Sequence, residues 1–210
     1  MKLYDLNPSF NSRKVRAVAA ELGLDLEIHQ VDFMKGEHKQ PDFLAKNPNG
    51  KMPVLEDGDF VLWESNAILS YLTDINPEAT ISPNTSRLKA EINRWLFWDA
   101  CNLNKAVSTL FFEIILKPMF GAGQADQNKV ESTRKDLYNL AGILNNHLAN
   151  REYVAGPLSV ADFSLAADLA VREHIGLNDT DYPNLKSWLE RVEARDSWKK
   201  SEPTWMPPKP

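Results

Sequence analysis

The 210-residue chain has one cysteine, Cys101, so no disulfide can close within it, which suits a reducing cytosol. It has no excess of positive charge. Its 24 Lys and Arg stand against 29 Asp and Glu, for a net charge of −5 and a pI of about 5.4. That balance gives no general attraction to nucleic acid or to an anionic membrane, and argues against both as partners. No apolar run approaches the roughly 18 residues of a membrane span. The opening segment MKLYDLNPSF lacks the apolar core of a signal peptide. Repeats are absent, and the only biased stretch is the tail PTWMPPKP. What is present is an ordinary globular balance, 43% hydrophobic and 25% charged. The expectation is a soluble, cytoplasmic protein of one large or two small domains.

Periodicity divides the chain in two. Lys2 to Leu6 alternates apolar and polar residues and reads as a strand. Asn7 to Ser12 is a loop by composition, with Ser12 placed to cap a helix that stops at Gly23. Val15, Val18, Ala19 and Leu22 share one face of that helix. Leu26 to Val31 alternates again, so the start is a right-handed β-α-β unit. A polar stretch with a short helix around Asp42 to Lys46 leads to strands Met52–Leu55 and Phe60–Trp63, joined through Asp57-Gly58. A helix follows over Glu64 to Asp74. Beyond residue 86 only helical periodicity is found, in Arg87–Leu116 (one helix or two), Asp126–Leu148, Ser159–His174 and Tyr182–Ser197. The fold class is therefore an α+β unit, βαβαββα, followed by an all-α unit. The boundaries are 1–76, a Pro-containing linker 77–86, and 87–210.

Two features of the stretch GKMPVLEDGDFVLWESNAILSYL bear on function. Pro53 opens a strand, where proline removes a ladder donor. Glu64-Ser65 opens a helix, where backbone N–H groups point outward and favour an anion. Each has a plain reading, as a strand start and a helix cap. This segment, the βαβαββα order, the loop SFNSRKVR, the stretch KGEHKQPDFLAKNP and the segment AGPLSVADFSLAADL together resemble the cytosolic glutathione S-transferases, over nearly the whole chain. The loop and KGEHKQPDFLAKNP are similar to theta-like bacterial members. The resemblance implies a thioredoxin-like first domain, glutathione as co-substrate with no other cofactor or metal, a small electrophile as second substrate, and a homodimer.

It also implies roles for residues. A cis Met52-Pro53 bond would leave the main chain of Met52 open to pair with an extended tripeptide. Glu64 would accept the γ-glutamyl ammonium and Ser65 would donate to its carboxylate. His38, Lys39 and Lys51 would meet the glycine carboxylate, although solvated loop charges are an alternative for Lys39. Ser9 is the candidate catalytic residue. Glutathione reacts as thiolate, and a hydroxyl donor near a helix N-terminus favours S⁻ over SH. Asn11 is the alternative donor, because Phe10 after the serine departs from the common Ser-Pro-x-x-Arg loop. Arg13 reads as support. Tyr4, where other classes place a catalytic tyrosine, reads as core. Asp99 is weighed as a contact to glutathione across a dimer, with Cys101 and Asn104 the later positions that relatives use. The first loop has no cysteine, so omega-type thiol transfer is not implied, and Cys101 reads as a packed helix residue. Trp98, Asn102, Phe111, Phe112 and Trp205 are the candidate walls for the second substrate. Ser159 and Asp162 form a capping box with a folding role only. The rival functions are a glutathione-dependent disulfide or peroxide reductase and a binding module without chemistry.

Overall fold

A computed structural model describes residues 1–204. The chain forms two compact units, residues 1–82 joined by the segment returning from Ala194, and Pro83–Glu193. In the first unit the strands are β1 (Lys2–Asp5), β2 (Glu27–Gln30), β3 (Val54–Asp57) and β4 (Phe60–Trp63), in sheet order β2-β1-β3-β4. β1 runs parallel to β2, with Leu3 opposite Ile28, because α1 (Phe10–Glu21) carries the chain back between them. β3 lies antiparallel to β1 and to β4. Asp57 pairs with Phe60, leaving a two-residue turn in which Gly58 takes φ 64°.

α1 begins earlier than its sequence suggests. The cap is Ser9, whose Oγ accepts the Ser12 N–H at 3.4 Å. Ser12 is not the cap: it is fully buried, and its Oγ accepts the Leu6 N–H at 3.3 Å. α2 (Pro41–Leu44) is one short turn, and α3 (Ser65–Asp74) buries Ile68, Leu69 and Leu72. Tyr4, Val31, Phe43 and Val54 form a core cluster, with Met52 packed against it.

The second unit is helical. α4 (Ser86–Trp98) is capped by Thr85, whose Oγ1 accepts the Leu88 N–H at 3.1 Å. It continues through a π-helical turn at Asp99–Leu103 into α5 (Asn104–Phe111), and through another at Phe112–Leu116 into α6 (Lys117–Met119). α7 (Gln127–His147) starts at the cap Asp126. α8 (Val160–Leu169) has all ten residues buried and is the unit's central helix. Asp162 closes its capping box and also accepts the Trp188 indole N–H at 2.9 Å from α9 (Pro183–Glu193). Among the described residues this unit has no strand, only one isolated bridge between Tyr153 and Gly156.

The expectation that 87–210 forms a single helical domain needs correction at its end. Residues from Ala194 belong to the first unit, where α10 (Asp196–Lys200) packs on α1. Arg195 ion-pairs with Glu21, and the Ser197 hydroxyl donates to the same carboxylate at 2.5 Å. The Arg13 guanidinium lies 4.1 Å over the Trp198 ring. These partners are far apart in sequence, and helical periodicity does not reveal them.

Candidate active site

Ser9 ends the loop after β1 and starts α1. Its N–H donates to the Leu6 carbonyl at 2.8 Å, and its own carbonyl accepts the Arg13 N–H at 2.9 Å. Capping uses a lone pair of Oγ, so the hydroxyl hydrogen is still available to donate. That donor is half-buried at the positive end of a 12-residue helix.

The N-terminus of α3 is tied to that of α1. The Ser65 hydroxyl donates to Asn11 Oδ1 at 3.4 Å, and Lys14 Nζ donates to Asn66 Oδ1 at 3.4 Å. Lys14 is 1% exposed. Two helix starts, each with partial positive charge, are thereby joined through side chains. Such a pair is suited to hold anionic groups. Sequence reasoning did not single out Lys14. The available signal was its place three residues after Asn11 and four before Val18, on the buried stripe of α1.

Glu64 precedes α3 with φ 72° and ψ 109°, the one non-glycine residue with positive φ among those described. Holding a side-chain residue there costs on the order of 1–3 kcal/mol. Its side chain is exposed and makes no cap, while its carbonyl accepts the Ile68 N–H at 3.0 Å.

The Met52-Pro53 bond is cis. The approach to it is fixed by Asn47, whose Nδ2 donates to the Lys51 carbonyl at 2.6 Å and whose Oδ1 accepts the Asn49 N–H at 3.0 Å. Gly50 takes φ 61°, and a Cβ there would lie 3.0 Å from the His38 carbonyl oxygen. His38 is thus brought beside the Lys51 segment. Its ring stacks on Phe33 at 4.2 Å, and its Nδ1 is buried without a partner. Burial first, and Lys39 second, lower the His38 pKa below its ordinary value, so the imidazole is neutral at pH 7. Lys39 and Lys51 are exposed.

The other candidates divide clearly. The Tyr4 hydroxyl donates to Glu56 Oε2 at 2.9 Å, and Glu56 also pairs with Lys46, so this tyrosine is committed to the core. Asp99 is fully buried in the helical unit and accepts the Ser164 hydroxyl at 2.6 Å. Asn104 Nδ2 donates to Asp168 Oδ1 at 2.9 Å. Cys101 is exposed, which corrects the expectation of a packed thiol. It lies two residues from each of the buried positions 99 and 103, on the opposite face of the turn. Asn102 donates to the Trp98 carbonyl at 3.1 Å and, with Cys101 and Lys105, lines a cavity of about 330 Å³. Trp98 packs edge-on against Trp95 at 5.3 Å. Phe111 is 6% exposed, with its ring against His174, and Phe112 is 44% exposed. Trp205 lies outside the described residues. Among those described, no group of three or more His, Cys, Asp or Glu side chains is arranged to hold a metal, and no helix is long and apolar enough to cross a membrane.

A thioredoxin-like unit followed by an all-helical unit is the two-domain architecture of the glutathione S-transferase fold. Residues 1–74 match the glutathione S-transferase N-terminal domain, and 106–196 match the C-terminal domain. A probable glutathione S-transferase GSTF2 of Oryza sativa subsp. japonica is 34% identical over 212 residues, covering 99% of this chain and 98% of its own. The structure of glutathione transferase F7 from Populus trichocarpa is 30% identical, with TM-score 0.88, covering 95% of this chain and 96% of its own. The structure of glutathione S-transferase-I bound with lactoylglutathione is 29% identical, with TM-score 0.85, covering 95% and 97%. The chain belongs to the glutathione S-transferase family.

Proposed function

We propose that the protein conjugates glutathione to electrophilic small molecules, with Ser9 holding the reacting thiolate. The observation that carries this reading is the junction of the α1 and α3 N-termini through Asn11 and Ser65, Asn11 being two residues after the Ser9 cap. The γ-glutamyl carboxylate sits over the start of α3, with Ser65 donating, and Glu64 accepts from the ammonium. The strained backbone of Glu64 fits a ligand clamp. The tripeptide pairs with the main chain of Met52 beside Pro53, and its glycine carboxylate meets Lys39, Lys51 and a neutral His38. The sulfur then faces Ser9 at the start of α1. Its thiol proton leaves to solvent, the thiolate attacks the electrophile, and the leaving group departs with the electron pair.

Trp98 and Asn102 remain candidate walls for the electrophile, and 77–86 the candidate linker. A homodimer and a detoxifying role follow the habit of the family, and the single cysteine suits a reducing compartment such as the cytoplasm. The serine in the first loop supports a theta-like site, although the Oryza sativa and Populus trichocarpa relatives named above come from plants. The experiment compares turnover of a chloronitrobenzene with that of hydroxyethyl disulfide, and measures glutathione affinity of Ser65→Ala by calorimetry. Conjugation and a weakened Ser65→Ala are expected. Disulfide reduction without conjugation would make the protein a reductase, and unchanged affinity would remove Ser65 from the site.

A further inference from the structure

The loop that carries Ser9 is held at one residue, Asn7, by three separate segments. The Asn7 N–H donates to Gln30 Oε1 at 3.1 Å, and Gln30 Nε2 donates in turn to Asp5 Oδ2 at 2.5 Å. Arg16 Nη2 donates to the Asn7 carbonyl at 3.0 Å and to the Ser201 carbonyl at 3.2 Å. Arg16 Nη1 meanwhile holds Asp5 Oδ1 at 2.6 Å, and Asp5 is fully buried. The Asn7 side-chain oxygen accepts twice from Thr204, from its N–H at 2.8 Å and from its hydroxyl at 3.1 Å. Thr204 is 197 positions away.

The residue between Asn7 and Ser9 is Pro8, whose ring fixes φ. The Ser9 N–H is bonded back to Leu6. A shift of Asn7 is therefore passed to Ser9 with little slack. The segment contributing Thr204 is itself anchored, since Arg13 Nε donates to Ser201 Oγ at 3.4 Å and the Ser201 hydroxyl donates to the Trp198 carbonyl at 2.6 Å.

We infer that Asn7 and Thr204 are positioning residues for the thiolate-holding hydroxyl, the segment Ser201–Thr204 being a strap that sets the Ser9 loop. This rests on the reading of Ser9 given under Proposed function. The test titrates the mercaptide absorbance of bound glutathione in the full chain, beside steady-state kinetics, for Asn7→Leu, Thr204→Val, Thr204→Ser, the double variant Asn7→Leu/Thr204→Val, and Ser9→Ala. In Asn7→Leu the bound thiol titrates about half a unit to one unit higher. Its turnover below that midpoint falls roughly 3- to 10-fold, with KM for glutathione within about 2-fold. Thr204→Val moves the same way by less, because its N–H bond survives, and Thr204→Ser matches wild type. The double variant is no worse than Asn7→Leu, because the two substitutions remove one shared contact.

A wild-type titration for Asn7→Leu, or additive effects in the double variant, overturns the strap. If Asn7→Leu fails to fold, the Thr204 pair decides. A shift in Val with none in Ser supports the strap, and wild-type behaviour in both overturns it. Ser9→Ala separates the two readings. A wild-type titration there means that the role given to Ser9 has failed, and the strap with it. A shift in Ser9→Ala with none in Asn7→Leu sinks the strap alone.

Discussion

Under the proposed function Ser9 has two tasks in one side chain, and they are separable by substitution. As the α1 cap its Oγ accepts the Ser12 N–H, but at 3.4 Å this bond is long. Its loss should cost near the low end of the cap range, about 0.5–1 kcal/mol. For a chain of this size that lowers Tm by roughly 1–4 °C. As the proposed thiolate donor the hydroxyl would make a charge-assisted bond of about 1.5–3 kcal/mol, which is about one to two pKa units on the bound thiol. If that thiol titrates near 6.5 in the wild type and near 8 in Ser9→Ala, the thiolate fraction at pH 6.5 falls from about a half to a few per cent. Turnover then drops by about 15-fold, while glutathione affinity changes little. Ser9→Asp sharpens the test, since aspartate caps a helix as well as serine does. Its Tm should stay near wild type, yet a carboxylate facing the sulfur opposes ionisation and should leave the lowest turnover of the series. The assays are pH-dependent kcat, mercaptide titration and thermal melting. Wild-type turnover in Ser9→Ala would move the donor role to Asn11. Wild-type turnover in Ser9→Asp would refute the placement of the sulfur opposite this side chain.

Glu64→Gly should melt higher than Glu64→Ala by about 1 kcal/mol of stability, because glycine accepts the φ of 72° without a side-chain clash. Both should bind glutathione more weakly than wild type in calorimetry, and equal melting of the two would show that no strain resides at this position. In the helical unit, burial pushes the Asp162 carboxyl up to about 6, against four donors from Val154, Trp188 and Ser159. The fold thus favours its protonated form, and this contribution is full below about pH 4 and is lost as pH rises through about 6, by roughly 3 kcal/mol in all. Asp162→Asn cannot titrate, and its amide N–H₂ must face a donor such as the Ser159 N–H, at a cost of about 2–4 kcal/mol. Urea midpoints should therefore show the variant below wild type by an amount that narrows between pH 4 and pH 7. A gap constant with pH would contradict this assignment.

The local pattern and the long-range pairing differ in how much of this molecule they let a reader see. The hairpin at Asp57-Gly58, the β-α-β start and the first two long helical stretches follow from periods of two and 3.6 and from turn residues, and the structure has them within a few positions, whereas the third helix ends at Leu169, short of His174, and the fourth stretch is broken after Glu193. The capping box at Ser159 and Asp162 is equally local, and it forms. The start of α1 differs from the sequence expectation because two serines three positions apart can each cap, and only the burial of Ser12 against the Leu6 N–H decides between them. Cys101 lies on the face opposite Asp99 and Leu103, and the burial of those two residues is a tertiary property that helical periodicity alone does not give. The candidate glutathione residues were named from the resemblance. The links Asn11–Ser65 and Lys14–Asn66 are tertiary, and neither lies within one periodic window.

The end of the chain shows why such pairings escape a one-dimensional reading. Tyr182–Ser197 has one apolar period and reads as one helix, yet α9 stops at Glu193 and Arg195 is extended, with φ −68° and ψ 142°. What outweighs continued helix is the set of partners available to the turned chain. Glu21 takes both Arg195 and Ser197, and this salt bridge is one cause that keeps the Glu21 carboxyl below its ordinary range even as burial opposes it. Trp198 buries its ring under Arg13, and Thr204 reaches Asn7. A two-residue break in a helix forgoes a few backbone bonds of about 1 kcal/mol each. A buried indole alone returns more than that through the apolar area it removes from water. The return therefore wins, and it brings the C-terminal segment to the loop of the proposed catalytic serine. Local propensity carries no term for such a contact.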